Sequence, residues 1–189
     1  MQIEDYKPTA PAPAHVEHSE NTSTLVYVRK LRQPPERVWA ALTDAEQLPK
    51  WAPYRPSRNL TETGAVSINM IDGSTPEVYE SEVKEVIPNE VLEYSWGESL
   101  LRWELAASES GTTLTLRQTV ENPEWIPPSA AGWHMCLDIA EMLMDGNEIG
   151  PIIGEVATSY GWSMLAEYYG KLLGDKSDDD NAAEDSPEL

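Results

Sequence analysis

The chain has 189 residues, enough for one domain with some length to spare. It carries 33 Asp and Glu against 13 Lys and Arg, a net charge of −20, and the basic residues are scattered. That balance repels phosphate backbones, so the expectation is no nucleic acid and no anionic membrane surface as partner.

Residues 1–24 hold a net −3 and residues 174–189 a net −6, which leaves −11 for residues 25–173. The central segment is therefore acidic in its own right. No apolar run approaches the ~18 residues of a membrane span, and no signal-like run opens the chain. The expectation is no membrane insertion and a cytoplasmic location. Cys136 is the one cysteine, so no internal disulfide can form.

Pro8, Pro11 and Pro13 interleave with alanines in residues 1–24. Proline denies this stretch a helix and its polar residues deny it a core, so a disordered extension is expected. Residues 25–31 read as the first strand. Pro34 and Pro35 open a short helix over residues 36–42, where proline is tolerated because the first amides lack partners. Thr43/Glu46 or Asp44/Gln47 offers a capping box for a second short helix, ended by Pro49.

Residues 65–71, 77–87, 91–96, 100–106 and 112–120 each alternate apolar and polar side chains. Leu92, Tyr94 and Trp96 alternate with Glu93 and Ser95, and Leu101, Trp103 and Leu105 with Arg102 and Glu104. Turn residues separate them at Asp72-Gly73, Pro88-Asn89 and Ser110-Gly111. Alternation of this kind gives a sheet with one dry face and one wet face.

A long helix is expected from Pro128 or Ser129. At roughly 100° per residue, His134, Asp138, Glu141 and Asp145 share one narrow arc, and almost all else from Trp133 to Met144 is apolar. So wide an apolar arc needs a second partner besides the sheet. Residues 157–173, with Tyr160, Met164, Leu165, Tyr168 and Leu172 at helical spacing, are the candidate. Residues 174–189 read as an acidic disordered tail. The expected architecture is α+β: a curved antiparallel sheet of about six strands around a long C-terminal helix, with two short helices after the first strand. The expected folded domain spans residues 25–173.

The chain has no Phe but seven Trp and eight Tyr. Such side chains suit a cavity wall that is greasy with polar points. Trp51, Tyr54, Tyr94, Trp96, Trp103 and Trp133, with Leu137, are the candidate ligand-binding residues; the alternative is that they fill the core in place of Phe. His134, Asp138 and Glu141 form the one titratable constellation. The i, i+4, i+7 spacing suits a general base or a metal, but a zinc site usually takes a further His or Cys, and the other histidines, His15 and His18, lie in the N-terminal extension. A solvated helix face, with His134 paired to Asp138, is the plainer reading, so no catalytic residue, metal or cofactor is assigned. Cys136 lies on the apolar arc without a base beside it and reads as buried filler.

Taken in order, Pro35-x-Arg37-Val38-Trp39-x-Ala41-Leu42-Thr43, Trp51, Val86-Ile87-Pro88-Asn89, Leu92-x-Tyr94-x-Trp96, Gly132-Trp133-His134 and Trp162-x-x-Leu165-x-x-x-Tyr169 resemble the activator-of-Hsp90-ATPase-homologue branch of the START-like (SRPBCC) superfamily. The resemblance covers residues 25–173 and implies a helix-grip fold. The superfamily includes lipid carriers, hormone receptors, cyclases and chaperone activators, so the fold alone does not give the function. Three roles follow as expectations. The first is binding of a small apolar or amphipathic molecule between sheet and long helix. The second is an Hsp90-activator-like protein-interaction module, and the third a cyclase- or hydrolase-type enzyme using the same pocket. The apolar faces of the last two helices also leave a homodimer open.

Overall fold

The computed structural model describes residues 2–73 and 75–174. The expected acidic tail over residues 174–189 therefore lies, but for Gly174, outside the described residues.

Eight strands form one antiparallel sheet in the order β1-β2-β8-β7-β6-β5-β4-β3. They are β1 (Ala14–His18), β2 (Ser23–Leu31), β3 (Tyr54–Pro56), β4 (Gly64–Met70), β5 (Val78–Ile87), β6 (Val91–Trp96), β7 (Ser99–Ser108) and β8 (Gly111–Val120). The six strands expected from alternation are present, and the two added ones are both edges. β3 is only three residues, too short to show a period. It forms where the proline-flanked segment after Trp51 pairs with β4, Tyr54 opposite Met70. A β-bulge at Val83/Glu85 bends β5 against β6, adding to the twist of the sheet.

Alternation sets the buried face. Leu114, Leu116, Gln118 and Val120 of β8 and Leu101, Trp103 and Leu105 of β7 point inward. Helix α1 (Pro35–Thr43) follows β2, with Pro35 in its first turn. The expected second short helix is a single 3-10 turn, Leu48–Lys50, with Pro49 inside it. Asp44 spends its carboxylate on the Glu46 amide and the Gln47 side chain instead of capping a full helix.

Helix α2 (Ile126–Met144) lies in the grip of the sheet. It starts earlier than expected because Pro127 and Pro128 occupy its first turn, where no amide is missed. Eight successive residues, Trp133 to Ala140, are buried, so the helix is covered on every side. Helix α3 (Trp162–Leu173) supplies the second partner.

The N-terminal segment corrects the expectation of disorder. Residues Ile3–Asp5 make a 3-10 turn, Tyr6 is buried, and β1 adds to β2 with Ala14 opposite Tyr27. Prolines 8, 11 and 13 sit in the extended arm between these anchors, where an extended backbone is what proline favours. The arm lies over α2 and α3 and closes the third side of the long helix.

Candidate functional site: an amphipathic cleft beside an aromatic core

Six aromatic residues form a continuous stack between sheet and α2. Trp51 meets Trp103 edge-on at 6.2 Å, and Trp103 meets Trp133 edge-on at 5.3 Å. Trp96 bridges Trp133 at 5.6 Å and Tyr54 at 5.7 Å, and Tyr54 meets Tyr94 at 6.4 Å. Their polar atoms are satisfied internally. Trp51 Nε1 donates to Ala41 O, Trp103 Nε1 to Tyr94 Oη, and Trp133 Nε1 to Gln118 Oε1. The Tyr54 and Tyr94 hydroxyls bond each other, and burial raises both pKa values, that of Tyr94 to about 12.

This stack divides the expected pocket residues. Trp51, Tyr54, Tyr94 and Trp103 are fully buried and fill the centre, and Leu137 is buried beside them. Trp96 and Trp133 line open space, displaced to the N-terminal half of α2. There a cavity of about 290 Å³ lies between α2 and the link to α3. Ser129, Gly132, Met135 and Cys136 line it from α2, and Ile152, Ile153, Gly154, Ala157 and Trp162 from the link and the start of α3. Pro53 and Asp72 close it from the sheet edge.

Gly132 sits within α2, yet a Cβ there would meet nothing within 4 Å. A glycine inside a helix costs about 0.5–1 kcal/mol relative to alanine, and here the missing side chain widens the cavity. Gly154 has φ of +60°, and a Cβ there would lie 2.3 Å from the Asp72 carbonyl oxygen. Only glycine lets the α2–α3 link close against the β4–β5 connection.

A second, wider groove of about 680 Å³ adjoins the cavity, sharing Asp72, Trp96 and Ser129 with it. Its walls include Tyr79, Gln118, Asn122 and Trp125, with the carboxylates of Glu77, Glu98 and Glu121. The sequence reading missed this half. Its residues lie in turns and strand ends, where no periodicity marks them.

Cys136 borders the cavity, but burial pushes its thiol up to about 12. A thiol so protonated is a poor nucleophile.

The polar stripe of α2 is not the solvated face expected for it. The His134 and Asp138 side chains are fully buried. Asp138 accepts from Arg29 Nη2 at 2.5 Å, Tyr6 Oη at 2.8 Å, Thr9 Oγ1 at 2.6 Å and Thr9 N at 3.0 Å. Glu141 accepts from the same Arg29 at 3.1 Å. The Thr9 hydroxyl spends its proton on Asp138, so it accepts from His134 Nε2, 3.2 Å away. Nδ1 is then an acceptor, with the Tyr27 and Tyr169 hydroxyls at 3.2 and 3.0 Å competing for its one lone pair. Burial lowers the His134 pKa below its usual 6.5, Asp138 opposing and Arg29 adding to that shift. Of the three residues weighed for base or metal chemistry, His134 and Asp138 thus hold the N-terminal arm, and Glu141 pairs with Arg29 of β2.

A pH prediction follows. The folded state keeps His134 neutral below pH 6.5, where the unfolded chain takes up a proton. Stability contributed by the neutral ring is complete above 6.5 and is lost as pH falls toward the folded pKa, at about 1.4 kcal/mol per pH unit. Urea titrations of wild type and His134→Gln at pH 7 and pH 5 should differ in this slope. Parallel losses would show that His134 does not carry it.

Residues 32–144, more than half of the chain, match the family described as Activator of Hsp90 ATPase homolog 1-like protein. Among curated proteins none matches. Solved structures share the fold. CalU16 of Micromonospora echinospora is 17% identical with a TM-score of 0.64, over 87% of this chain and 98% of that one. EF2215 of Enterococcus faecalis, a conserved protein of unknown function, is 16% identical with a TM-score of 0.63, over 84% and 89%. The BPP1335 protein of Bordetella parapertussis is 20% identical with a TM-score of 0.61, over 90% and 97%. Among the described residues no helix is long and apolar enough to cross a membrane. The sheet curled around a C-terminal helix is the helix-grip arrangement of these START-like domains.

Proposed function

The chain belongs to the Activator of Hsp90 ATPase homolog 1-like family, and from that premise we propose that it binds a small amphipathic molecule in the cleft beside Trp96 and Trp133. The family match supports a ligand-binding or Hsp90-activator-like module. The observation that favours ligand binding is the apolar cavity of about 290 Å³ joined to a polar groove. The ligand's apolar part would lose its water against Trp96, Trp133, Ile152 and Trp162, at about 25 cal/mol per Å². Its polar part would stay in the groove. Both ring nitrogens of His134 are taken by internal partners away from the cleft, and burial keeps the Cys136 thiol protonated, which favours binding without turnover.

Gly132→Leu tests this reading. Leucine would project into the cavity, where a Cβ already meets no neighbour. The uncharged fluorophore N-phenyl-1-naphthylamine should bind wild type saturably and lose that binding in the variant, with the melting temperature retained. Equal binding by both proteins, or none by wild type, would reject the cleft as a ligand site. Gly132→Ala is the companion control, expected to stabilise by about 0.5–1 kcal/mol.

One observation favours the protein-interaction alternative. Met164, Tyr168 and Leu172 are exposed at 60%, 45% and 42% and recur every four residues along α3. An apolar row of this kind suits a docking face. Met164→Glu with Tyr168→Glu should leave fluorophore binding intact. Loss of stimulation of an Hsp90 ATPase in that variant would support the activator-like reading. No stimulation by wild type would remove it. Light scattering on both proteins would show whether the same row holds a second copy of this chain.

A further inference from the structure

We infer that the cleft selects amphipaths with a cationic head over anionic ones. The inference rests on the cleft reading above and adds the chemical class of its ligand.

Three observations converge on it. First, the apolar cavity and the groove adjoin at Trp96, which borders both. A ligand whose tail fills the cavity must therefore carry its head past an indole face. Second, the groove has further aromatic surface in Tyr79 and Trp125, and Trp125 is 64% exposed. Aromatic faces attract a cation through the ring quadrupole and offer an anion nothing equivalent. Third, the charge around the head position has one sign. Asp72, Glu77, Glu98 and Glu121 border the groove, and neither the cavity nor the groove is lined by any Lys, Arg or His. None of the four carboxylates forms an ion pair among the described residues.

Several acids elsewhere on the molecule sit against bases. Glu85, Glu93 and Glu104 share Arg102, Glu17 takes Arg117, and Asp138 and Glu141 share Arg29. In the groove four carboxylates border aromatic surface and no base answers them. Asp72, Glu77 and Glu98 act together on the Tyr79 hydroxyl and raise its pKa along with burial, so their fields overlap at one place. A carboxylate- or phosphate-headed amphipath would meet that field as repulsion. A quaternary or protonated amine would replace water there at little cost.

The test uses two amphipaths with the same ten-carbon tail, decyltrimethylammonium and decyl sulfate, as competitors of bound N-phenyl-1-naphthylamine below their micelle-forming concentrations. The cation should displace the fluorophore at a concentration at least about tenfold lower than the sulfate at ~0.05 M salt. The gap should shrink at ~0.5 M salt, where screening is stronger. The triple variant Glu77→Gln, Glu98→Gln, Glu121→Gln should lose most of the preference, read as the ratio of the two competitors' displacing concentrations and so independent of any change in fluorophore affinity. Asp72 is left intact because its backbone seats Gly154. Equal competition by both amphipaths, a stronger effect of the sulfate, or a preference that survives in the triple variant would each overturn the inference while leaving the cleft reading standing. Failure of wild type to bind the fluorophore would reject both.

Discussion

Replacing Asp138 with alanine should destabilise the protein by about 3–5 kcal/mol, the usual result of removing one partner from a buried ion pair. Arg29 would keep its charge in a site where its side chain is only 8% exposed, with Glu141 as the one remaining carboxylate. The Tyr6 hydroxyl and both Thr9 donors would lose their acceptor in the same step. Unsatisfied buried donors add about 1–3 kcal/mol each where water cannot reach them. The N-terminal arm should therefore loosen as well, and amide exchange at residues 12–18 should accelerate. Urea unfolding of wild type and variant measures the first effect. A change below about 1 kcal/mol would mean that water already reaches Arg29 and the arm. Asp138→Leu combined with Arg29→Met should recover part of the loss, because it leaves neither charge unpaired.

Trp103→Ala should cost a similar amount, about 3–5 kcal/mol, for a different reason. Trp103 lies on β7 between Leu92 of β6 and Leu116 of β8, at the middle of the sheet's inner face. It carries the contacts of both Trp51 and Trp133 and donates to the Tyr94 hydroxyl. Truncation opens a void that these rigid rings cannot collapse to fill. Trp96→Ala serves as the comparison. Trp96 is only partly buried, faces the cleft, and its indole N–H bonds Met70 Sδ rather than a core oxygen. It should lose less stability and more ligand affinity. A larger stability loss at Trp96 than at Trp103 would contradict the division between core stack and cleft wall.

That division also explains what the sequence disclosed. Period-two alternation marked the central strands because each has one dry face, as Leu101, Trp103 and Leu105 show. The same alternation put Tyr94, Trp96 and Trp103 on the inward side but carried no information on which of them would be packed solid. Trp96 and Trp103 lie on adjacent strands with the same facing, and only their distance from the open end of the sheet separates their roles. Helix α2 was legible from its wide apolar arc, yet its polar stripe misled. His134, Asp138 and Glu141 look like a wet face because their partners, Tyr6, Thr9, Tyr27 and Arg29, come from distant segments. The arm itself was hidden by its prolines. Its anchors are single polar contacts at irregular intervals, and irregular contacts leave no period. Gly132 was visible as part of a motif, but the empty space beside it exists only in three dimensions.

The bond from Tyr6 to Asp138 joins residues 132 positions apart. On the ribosome, the arm leaves the exit tunnel long before α2. Strand β2 likewise waits for β8, its partner from Ser23↔Val120 to Leu31↔Thr112. The arm's anchor sites on α2 and α3 thus do not exist until those helices have emerged, whereas the hairpins from β4 to β8 can pair before then. High sequence separation slows folding because chain closure precedes the contacts that reward it. The order of assembly implied is the central meander first, then α2 against it, with the waiting arm closing over α2 and α3 as the final step.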